Sequence, residues 1–300
     1  MNILVTGSTG LVGAALVARL TASGHRVLPL RRGTARSASE AVWNPETGQA
    51  HFPASIPLEA VVHLAGENIA QRWSPRAKAR IRASRVDATR FLCEALVTLP
   101  QPPRVLVCAS ATGYYGDRGD EVLGEQSGPG TGFLAEVCQA WEQAAGPARR
   151  CGIRVVHLRL GVVLARHGGA LAKMLPAFRL GLGGRLGAGR QFWSWILLED
   201  LLRVIELALT ESNLSGAVNT VSPAPVTNAE FTRALARALR RPALLPMPAM
   251  VVKLLFGEMG REALLASARV RPARLIESGF AFRFPELDAA LASALEGQAS

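Results

Sequence analysis

The chain of 300 residues has few cysteines and no long apolar segment. Its four cysteines are widely spaced and match neither a metal-binding spacing nor a disulfide framework, so we expect reduced thiols and no bound metal. Because no run of about eighteen apolar residues occurs, we expect no membrane-spanning helix and no membrane partner. The first residues contain no basic stretch followed by an apolar signal core, which favours a cytoplasmic protein.

Lysine is also scarce, so the formal net charge of +11 is carried almost entirely by arginine. The densest run has seven basic residues between Arg72 and Arg90. Such a run fits either a nucleic-acid-binding face or the solvated edge of a helix near an anionic cofactor. Because no helix-turn-helix, zinc or RNA-binding motif accompanies the charge, we expect no nucleic-acid partner.

The first thirteen residues carry the clearest motif. Residues 3–5 are apolar and β-prone, glycines follow at positions 7, 10 and 13, and a helical pattern begins at Leu11. This order of strand, glycine turn and helix is typical of a dinucleotide-binding α/β sheet, where the turn and the helix N-terminus receive the pyrophosphate. The predicted contacts within the turn are Gly7, Thr9, Gly10, Leu11 and Gly13.

The end of the second predicted strand, residues 26–30, indicates which dinucleotide is preferred. Arg31 and Arg32 stand where an NAD-selective site usually has an acidic residue that binds the ribose 2′-hydroxyl. Two guanidinium groups instead suit a 2′-phosphate, so we favour NADP over NAD. The alternative is that both are surface arginines, and Pro29 is unusual for a central strand.

The remaining pattern alternates buried strands with helices, which predicts an α/β fold with a Rossmann-type, doubly wound parallel sheet. Three prolines between residues 242 and 248 separate this part from the last helices, and we therefore predict a main domain over 1–240 and a small, mostly helical C-terminal lobe over 241–300. Further strands are expected over 41–43, 60–64, 104–109 and 154–160, and helices over 11–23, 75–99, 133–150, 169–178, 200–211 and 231–239.

Several ordered motifs resemble the atypical, extended-type short-chain dehydrogenase/reductases that are described as NAD-dependent epimerase-family or nucleotide-sugar-epimerase-like proteins. The resemblance covers essentially the whole chain, including a small C-terminal segment similar to that family's C-terminal domain of unknown function. It rests on residues 6–13, 63–69, 84–87, 113–120, 133–142 and 159–164, and continues through 181–184, 195–200, 219–223 and 227–231.

The resemblance implies a set of cofactor contacts and a homodimer formed through two helices that flank the sheet. Besides the glycine turn, the implied contacts are Arg31, Arg32, Leu64, Ala65, Arg85 and the backbone near Val163. The family resemblance implies the cofactor more firmly than it implies a reaction.

The chain lacks the Tyr-x-x-x-Lys pair with which short-chain dehydrogenases transfer a proton. Its only tyrosines, Tyr114 and Tyr115, are followed four residues later by Arg118 and Gly119. The helix where the pair is expected offers either Leu134 and Cys138 or Phe133 and Val137, depending on the alignment. None of these side chains combines an acid with an activating cation.

Three residues are candidates for replacing the missing pair. Ser110 lies near the position of the hydrogen-bonding serine or threonine of active relatives, Tyr115 is a candidate proton donor whose pKa Arg118 would lower, and Glu136 is a candidate acid or base. Each candidate also has a structural alternative. Ser110 would form hydrogen bonds with backbone groups at the strand end, Tyr114 or Tyr115 would pack under the cofactor, and Glu136 would be exposed to solvent.

Two functional hypotheses follow from these observations. The first is an NADP-binding oxidoreductase or epimerase-like enzyme that acts on an unknown small-molecule substrate with a replaced proton-transfer group. The second is a non-catalytic NADP-binding sensor or regulatory protein, which the missing Tyr-x-x-x-Lys pair favours. The arginine- and glycine-rich loop at 179–190 is consistent either with an anion-binding loop of the substrate site or with a surface hairpin.

Overall fold

The structure is a computed structural model that describes residues 1–35, 37 and 39–296. Its strands are β1 (Asn2–Thr6), β2 (Arg26–Arg32), β3 (Val42–Trp43), β4 (Ala50–His51), β5 (Ala60–His63), β6 (Val105–Ala111), β7 (Val122–Leu123), β8 (Arg154–Leu160), β9 (Val162–Leu164), β10 (Phe192–Trp193), β11 (Trp195–Leu197), β12 (Gly216–Thr220), β13 (Val226–Thr227) and β14 (Arg269–Val270).

The helices alternate with the longer strands over most of the chain. They are α1 (Leu11–Ala22), α2 (Pro75–Ala83), α3 (Val86–Val97), α4 (Phe133–Ala144), α5 (Gly146–Arg150), α6 (Gly169–Arg179), α7 (Leu198–Thr210), α8 (Asn228–Leu239), α9 (Ala249–Met259), α10 (Ala273–Glu277) and α11 (Leu287–Glu296). A 3-10 turn covers Thr112–Tyr115 and a π-helical turn covers Gly260–Leu264.

The main sheet has the strand order β12-β8-β6-β5-β1-β2-β3-β4 and is parallel except for the pair β3 and β4. The chain moves outward in opposite directions from β1, so the sheet has a topological switch point between β1 and β5. Ligands of open α/β sheets bind outside the carboxyl ends of the strands at such a point. The predicted Rossmann-type, doubly wound sheet is therefore confirmed, and it locates the functional cleft.

Alternate residues of the central strands fill two apolar layers, one on each face of the sheet. Ile3 and Val5 pack with α1 and α7, whereas Leu4 packs with α3 and α5. Burial on both faces explains the continuous apolar runs of these strands. Pro29 is tolerated because β3 pairs with β2 only at Arg31 and Arg32, which leaves that side of β2 open at the proline.

Two predicted helices are each broken in the structure. The expected helix over 75–99 divides at Ser84 and Arg85, where the Ser84 hydroxyl donates to Ile81 O and accepts from the backbone N–H of Glu67. The expected helix over 133–150 divides at Ala145, two residues before Pro147, which has no backbone N–H to donate. The first break has a functional consequence because it directs Arg85 toward the strand ends.

The C-terminal region is helical, as predicted, and packs into a third apolar cluster. Phe231 of α8, Leu175 of α6 and Leu291 of α11 are buried together around Trp195. Helices from both sides of residue 240 contribute to this cluster, while the proposed domain boundary itself stays a prediction. Among the described residues, none of the helices combines the length and the apolar composition needed to cross a bilayer.

Candidate functional site

The glycine turn connects β1 to α1 at the switch point of the sheet. Gly7 has a positive φ of 66°, and a Cβ atom built on it would lie 2.9 Å from Ala65 N. A Cβ atom on Gly13 would lie only 2.1 Å from Gly7 O, so α1 packs directly on the turn. The turn closes through a 3.0 Å hydrogen bond from Gly10 N to Gly7 O. The three glycines thus meet the conformational and steric demands of a dinucleotide-binding turn.

The N-terminus of α1 is open to a ligand. Gly10 is the N-cap residue, no side chain of the described residues caps the helix, and both Thr9 and Gly10 are exposed. The first backbone N–H groups of a helix lack intrahelical partners and carry positive partial charge. A pyrophosphate at this position would satisfy them.

Thr6 holds the end of β5 beside the turn. Its hydroxyl oxygen accepts hydrogen bonds from Leu64 N and Ala65 N, both at 3.1 Å, and lies 2.7 Å from His63 Nδ1. The predicted contact residues Leu64 and Ala65 are therefore brought next to Gly7. Small residues here leave room for a ligand to approach the backbone.

His63 belongs to a buried network and does not face the cleft. Its Nε2 lies 3.0 Å from Thr89 Oγ1, which also accepts from Trp141 Nε1 at 2.9 Å. Burial lowers the pKa of His63 to about 4, and burial likewise lowers the pKa of His157 to about 4. Both histidines are accordingly neutral at physiological pH, and they are structural groups.

The neutral histidines predict a dependence of stability on pH. Their folded-state pKa lies below the ordinary value of 6.5. Below about pH 6.5 the unfolded chain therefore binds protons at these histidines that the folded chain does not bind. Each histidine should lower the free energy of unfolding by about 2 kcal/mol between about pH 7 and about pH 5. Denaturant titrations at both pH values measure this loss.

A histidine variant separates this effect from general acid destabilisation. In His63→Asn the loss of stability on acidification should shrink, whereas the exposed control His51→Asn should leave it unchanged. An unchanged loss in His63→Asn would mean that His63 is protonated in the folded protein.

Arg31 and Arg32 end β2 at the edge of the cleft. Both are exposed, and within residues 1–35, 37 and 39–296 neither guanidinium has a hydrogen-bond or ion-pair partner. Unpaired arginines at this strand end remain available to an anionic group of a ligand.

Leu11 and Val163 line another wall of the cleft. A Cβ atom built on Gly168 would lie 2.8 Å from the Leu11 side chain, and one built on Gly169 would lie 3.4 Å from Val163 O. Val163 itself pairs with Ile196 in the short parallel sheet of β9 and β11. The segment after β8 thus closes against the first turn of α1, and the implied contact at Val163 stays a prediction.

Arg85 extends from the break between α2 and α3 over the end of β5. A Cβ atom on Gly66 would lie 3.4 Å from the Arg85 guanidinium carbon, which is 5.2 Å from the centre of the Trp141 ring. Its hydrogen bonds are long ones within its own segment, 3.3 Å to Ile81 O and 3.4 Å to Ser84 Oγ. Burial lowers its pKa, yet an arginine remains charged, and this cation faces the cleft.

The positions of the missing Tyr-x-x-x-Lys pair are apolar in the structure. Leu134 and Cys138 face the segment after β6: a Cβ atom on Gly113 would lie 3.3 Å from Leu134 Cβ and 3.9 Å from Cys138 Sγ. Phe133 instead packs against Trp73, away from that segment. Burial raises the pKa of Cys138 to about 12, so its thiol stays protonated and supplies no charge.

Ser110 and Tyr115 belong to a buried polar cluster centred on an ion pair. Arg159 of β8 donates to both carboxylate oxygens of Glu142, at 2.8 and 2.9 Å, and the Ser110 hydroxyl donates to the same carboxylate at 2.8 Å. Arg159 also donates to the Tyr115 hydroxyl at 2.9 Å and lies 3.5 Å from the centre of the Tyr114 ring. Of the three catalytic candidates, Ser110 lies at the carboxyl end of a strand of the main sheet, and its side chain is buried like that of Tyr115.

The geometry assigns Tyr115 a structural role and corrects the expectation that it donates a proton. Its side chain is fully buried, and its hydroxyl donates to Asn219 Oδ1 at 2.7 Å. Burial raises its pKa, and Arg118 does not oppose this because Arg118 pairs with Glu121 at 2.7 Å. The predicted effect of Arg118 on Tyr115 is therefore wrong.

Glu136 is also placed differently from the prediction. It lies on the exposed side of α4, whereas Ala135, Cys138 and Trp141 occupy the buried side. A helix rotates each successive residue by about 100°, so the residue after Ala135 points away from the strand ends. Glu136 is consequently solvated and does not reach into the cleft.

The polar cluster contains residues that the sequence analysis did not single out as a site. Arg159 interrupts an apolar strand, and a buried charge of this kind requires a partner. That partner is Glu142, near the C-terminal end of α4. The arginine within an apolar strand indicates that a buried ion pair exists, but the sequence does not identify the carboxylate that forms it.

A cavity of about 520 Å³ lies between the loop after β6, the loop at 187–191 and the C-terminal region. Three basic side chains and two carboxylates contribute charged groups to its wall, namely Arg190, Lys253, Arg261, Asp117 and Asp120. Arg190 and Lys253 have no partner in the part of the chain that the structure describes, and Arg261 lies 3.6 Å from Glu262. The cavity is thus a polar pocket of mixed charge that is suited to a small polar molecule.

The sheet, the glycine turn and the open helix N-terminus together define a dinucleotide-binding α/β protein. Comparison with known proteins gives the family. The NAD dependent epimerase/dehydratase family matches residues 3–221, and a domain of unknown function, DUF1731, matches residues 247–294. The chain belongs to the NAD-dependent epimerase/dehydratase family, so the resemblance stated from its motifs is confirmed.

Relatives match along nearly the full chain. Epimerase family protein Mb2239 of Mycobacterium bovis is 46% identical over 290 residues, with 96% of each chain covered. Human epimerase family protein SDR39U1 is 38% identical over 297 residues, covering 97% of this chain and 98% of the human protein.

Solved structures agree with the fold. The crystal structure of human SDR39U1 with NADPH matches with a TM-score of 0.89 and 36% identity, covering 99% of this chain and 100% of that chain. A UDP-glucose 4-epimerase from Thermus thermophilus, solved with NAD, has a TM-score of 0.77 at 20% identity, covering 98% of both chains. This second likeness concerns the fold alone.

Proposed function

We propose that the cleft binds NADP(H), with the pyrophosphate on the glycine turn and the 2′-phosphate on Arg31 and Arg32. The observation that carries this proposal is the pair of exposed, unpartnered guanidinium groups at the end of β2, within the part of the chain that the structure describes. In this fold the end of the second strand meets the adenosine ribose, and two arginines there favour a phosphate over a hydroxyl. The human relative that was solved with NADPH supports the same cofactor.

The residues around the cleft fit such a cofactor. The contacts at Gly7 and Gly13 leave no room for a Cβ atom, as a tight turn with α1 packed on it requires, and the exposed Gly10 allows a pyrophosphate to approach the backbone. When bound, NADP supplies hydride transfer at its nicotinamide ring. Leu64 and Ala65 contact the turn at Gly7, and Leu11 and Val163 line another wall of the cleft.

The favoured activity is that of an NADP-dependent oxidoreductase or epimerase-like enzyme acting on a small molecule. Arg85 takes over the cationic role of the missing lysine, because its guanidinium lies over the end of β5 with only long hydrogen bonds to its own segment. Ser110 is the remaining candidate for proton transfer because it lies at the carboxyl end of β6, although its hydroxyl is buried and donates to Glu142 at 2.8 Å. Arg190 and Lys253 are available to an anionic group of the substrate, and Asp117 and Asp120 on the same wall are available to its hydroxyl groups.

The second candidate function is a non-catalytic NADP-binding sensor. It is favoured by one observation, namely that apolar Leu134 and protonated Cys138 occupy the positions of the proton-transferring pair. The two candidates differ in hydride transfer. Incubation with NADPH and a panel of anionic carbonyl compounds, followed through nicotinamide oxidation, distinguishes them, because a sensor would bind NADPH and leave it reduced.

The double variant Arg31→Ala/Arg32→Ala tests the cofactor assignment. Removal of two charge-assisted contacts should weaken NADPH binding by about 10- to 100-fold and leave NADH binding nearly unchanged. Fluorescence titration with each nucleotide measures both constants. Arg26→Ala is the matched control, because Arg26 is an exposed arginine at the opposite end of the same strand. Equal weakening of both nucleotides, or an effect of Arg26→Ala as large as that of the double variant, would contradict the assignment.

A further inference from the structure

Helix α9 has an apolar side that is exposed. Met250 is 83% and Leu254 72% exposed, and Val251 and Leu255 are exposed beside them, whereas the neighbouring Val252 is fully buried. Met250 and Leu254, like Val251 and Leu255, are four residues apart and so share the outer side of the helix. A helix of a soluble domain normally directs its apolar side inward.

Two adjacent loop segments extend this apolar side. Residues 182–187 pair with 243–247 through Leu182 and Ala243, and through a 2.9 Å hydrogen bond from Met247 N to Arg185 O. Only Pro248 separates this pairing from α9, and a Cβ atom on Gly187 would lie 3.4 Å from Ala249 Cβ. The loops expose four further leucines, and we call the whole set the apolar face: Leu180, Leu182, Leu244, Leu245, Met250, Val251, Leu254 and Leu255.

Basic residues predominate around the apolar face, and Glu258, which follows it on α9, pairs with Lys78 at 2.9 Å. Segments 179–191 and 240–257 contain six basic residues and no acidic residue, in a chain whose formal net charge is +11. Five of these six residues flank the apolar face. They are exposed and lack partners among the residues that the structure describes: Arg179, Arg185, Arg240, Arg241 and Lys253. Exposed apolar side chains framed by arginine and lysine match the interfacial region of a bilayer with anionic headgroups.

We propose that the apolar face docks the protein on the surface of an anionic lipid bilayer. Met250, Leu254 and the loop leucines enter the boundary between headgroups and acyl chains, and the surrounding cations contact lipid phosphates. This surface association differs from the sequence-based expectation of no membrane partner, because the sequence does not reveal which leucines remain exposed after folding. It does not depend on the cofactor, and Lys253 is the one flanking cation that also lines the proposed substrate cavity.

Charge favours a bilayer over a second copy of the chain. Two copies that met through the apolar face would bring two sets of five cations together, and like charges across an interface oppose association. Anionic headgroups instead provide the complementary charge for every one of them.

Vesicle flotation with the full-length protein tests the proposal. Vesicles of phosphatidylcholine with phosphatidylglycerol should retain the protein, and pure phosphatidylcholine vesicles should retain little. The double variant Met250→Gln/Leu254→Gln should bind anionic vesicles about tenfold less, because two exposed side chains lose their apolar contact with lipid. Arg179→Gln/Arg241→Gln should weaken binding and reduce its salt dependence.

The matched control is Val122→Gln/Ile276→Gln, which changes two exposed apolar residues outside the apolar face. All variants alter exposed positions away from the cofactor cleft, so unchanged NADPH titrations and circular dichroism show that they are folded. The proposal is overturned if the protein does not bind anionic vesicles, or if Met250→Gln/Leu254→Gln binds as well as the wild type. A dimer that Met250→Gln/Leu254→Gln dissociates in sedimentation, without vesicle binding, would instead assign the apolar face to self-association.

Discussion

Replacement of Arg159 by methionine is expected to lower the free energy of unfolding by about 3–5 kcal/mol. Methionine keeps much of the length of the side chain but removes the guanidinium group that binds both oxygens of Glu142. The carboxylate then stays in a poorly solvated position with the Ser110 hydroxyl as its remaining donor, and Tyr115 loses a hydrogen bond. An uncompensated buried charge is among the most destabilising changes a folded domain can carry.

An exposed ion pair provides the control for this prediction. Arg237 pairs with Asp288 at 2.8 Å, but both side chains are more than half exposed. Arg237→Met should therefore cost no more than about 1 kcal/mol. Urea titrations of both variants give the comparison, and similar small losses in the two would show that the Glu142–Arg159 pair is solvated and does not anchor the cluster.

Replacement of Gly13 by alanine should have the largest effect on cofactor binding. The added Cβ would lie 2.1 Å from Gly7 O, which is backbone and cannot move aside as a flexible side chain would. Relief of the clash displaces α1 from the turn and moves the helix N-terminus from the pyrophosphate position. We expect NADPH binding about 10- to 100-fold weaker, and a loss of stability of about 1–3 kcal/mol.

Gly128→Ala is the matched control, because a Cβ atom there would meet nothing within 4 Å and its φ is not in the positive range. Nucleotide titration and thermal unfolding of both variants measure the effects. Full NADPH affinity in Gly13→Ala would contradict the role assigned to the turn.

The local motifs of the cofactor cleft could be predicted because they depend on short-range geometry. Gly7, Gly10 and Gly13 form a turn whose steric requirements act within a few residues. The position of Arg31 and Arg32 at the end of β2 follows from the apolar pattern of that strand. The parallel sheet was also predictable from its apolar runs, although the short strand β12 has too few apolar residues to stand out.

The proton-transfer candidates could not be predicted because their roles depend on long-range partners. Tyr115 is buried by contacts with Arg159 and Asn219, which lie 44 and 104 residues away in the chain. Whether Glu136 or Glu142 faces the strand ends depends on the rotation of α4, which the sequence does not specify. The sequence shows which residue types are present, but it does not show which groups surround them after folding.

The break at Ser84 and Arg85 shows the same limit. The residues around it favour a helix, yet Ser84 bonds to the backbone of Glu67, and the helix ends there. Such competition between a side-chain hydrogen bond and helix continuation depends on a loop from another part of the chain. The exposed leucines of the apolar face are a further case, since their composition alone predicts burial.

The most direct test of the central claim is a side-by-side titration of the wild-type protein with NADPH and NADH at one ionic strength. A 2′-phosphate on Arg31 and Arg32 predicts NADPH binding tighter by about 10- to 100-fold, with an advantage that declines as salt is added. Equal or tighter binding of NADH would contradict the role of the two arginines. Failure to bind either nucleotide would contradict the assignment of the cleft itself.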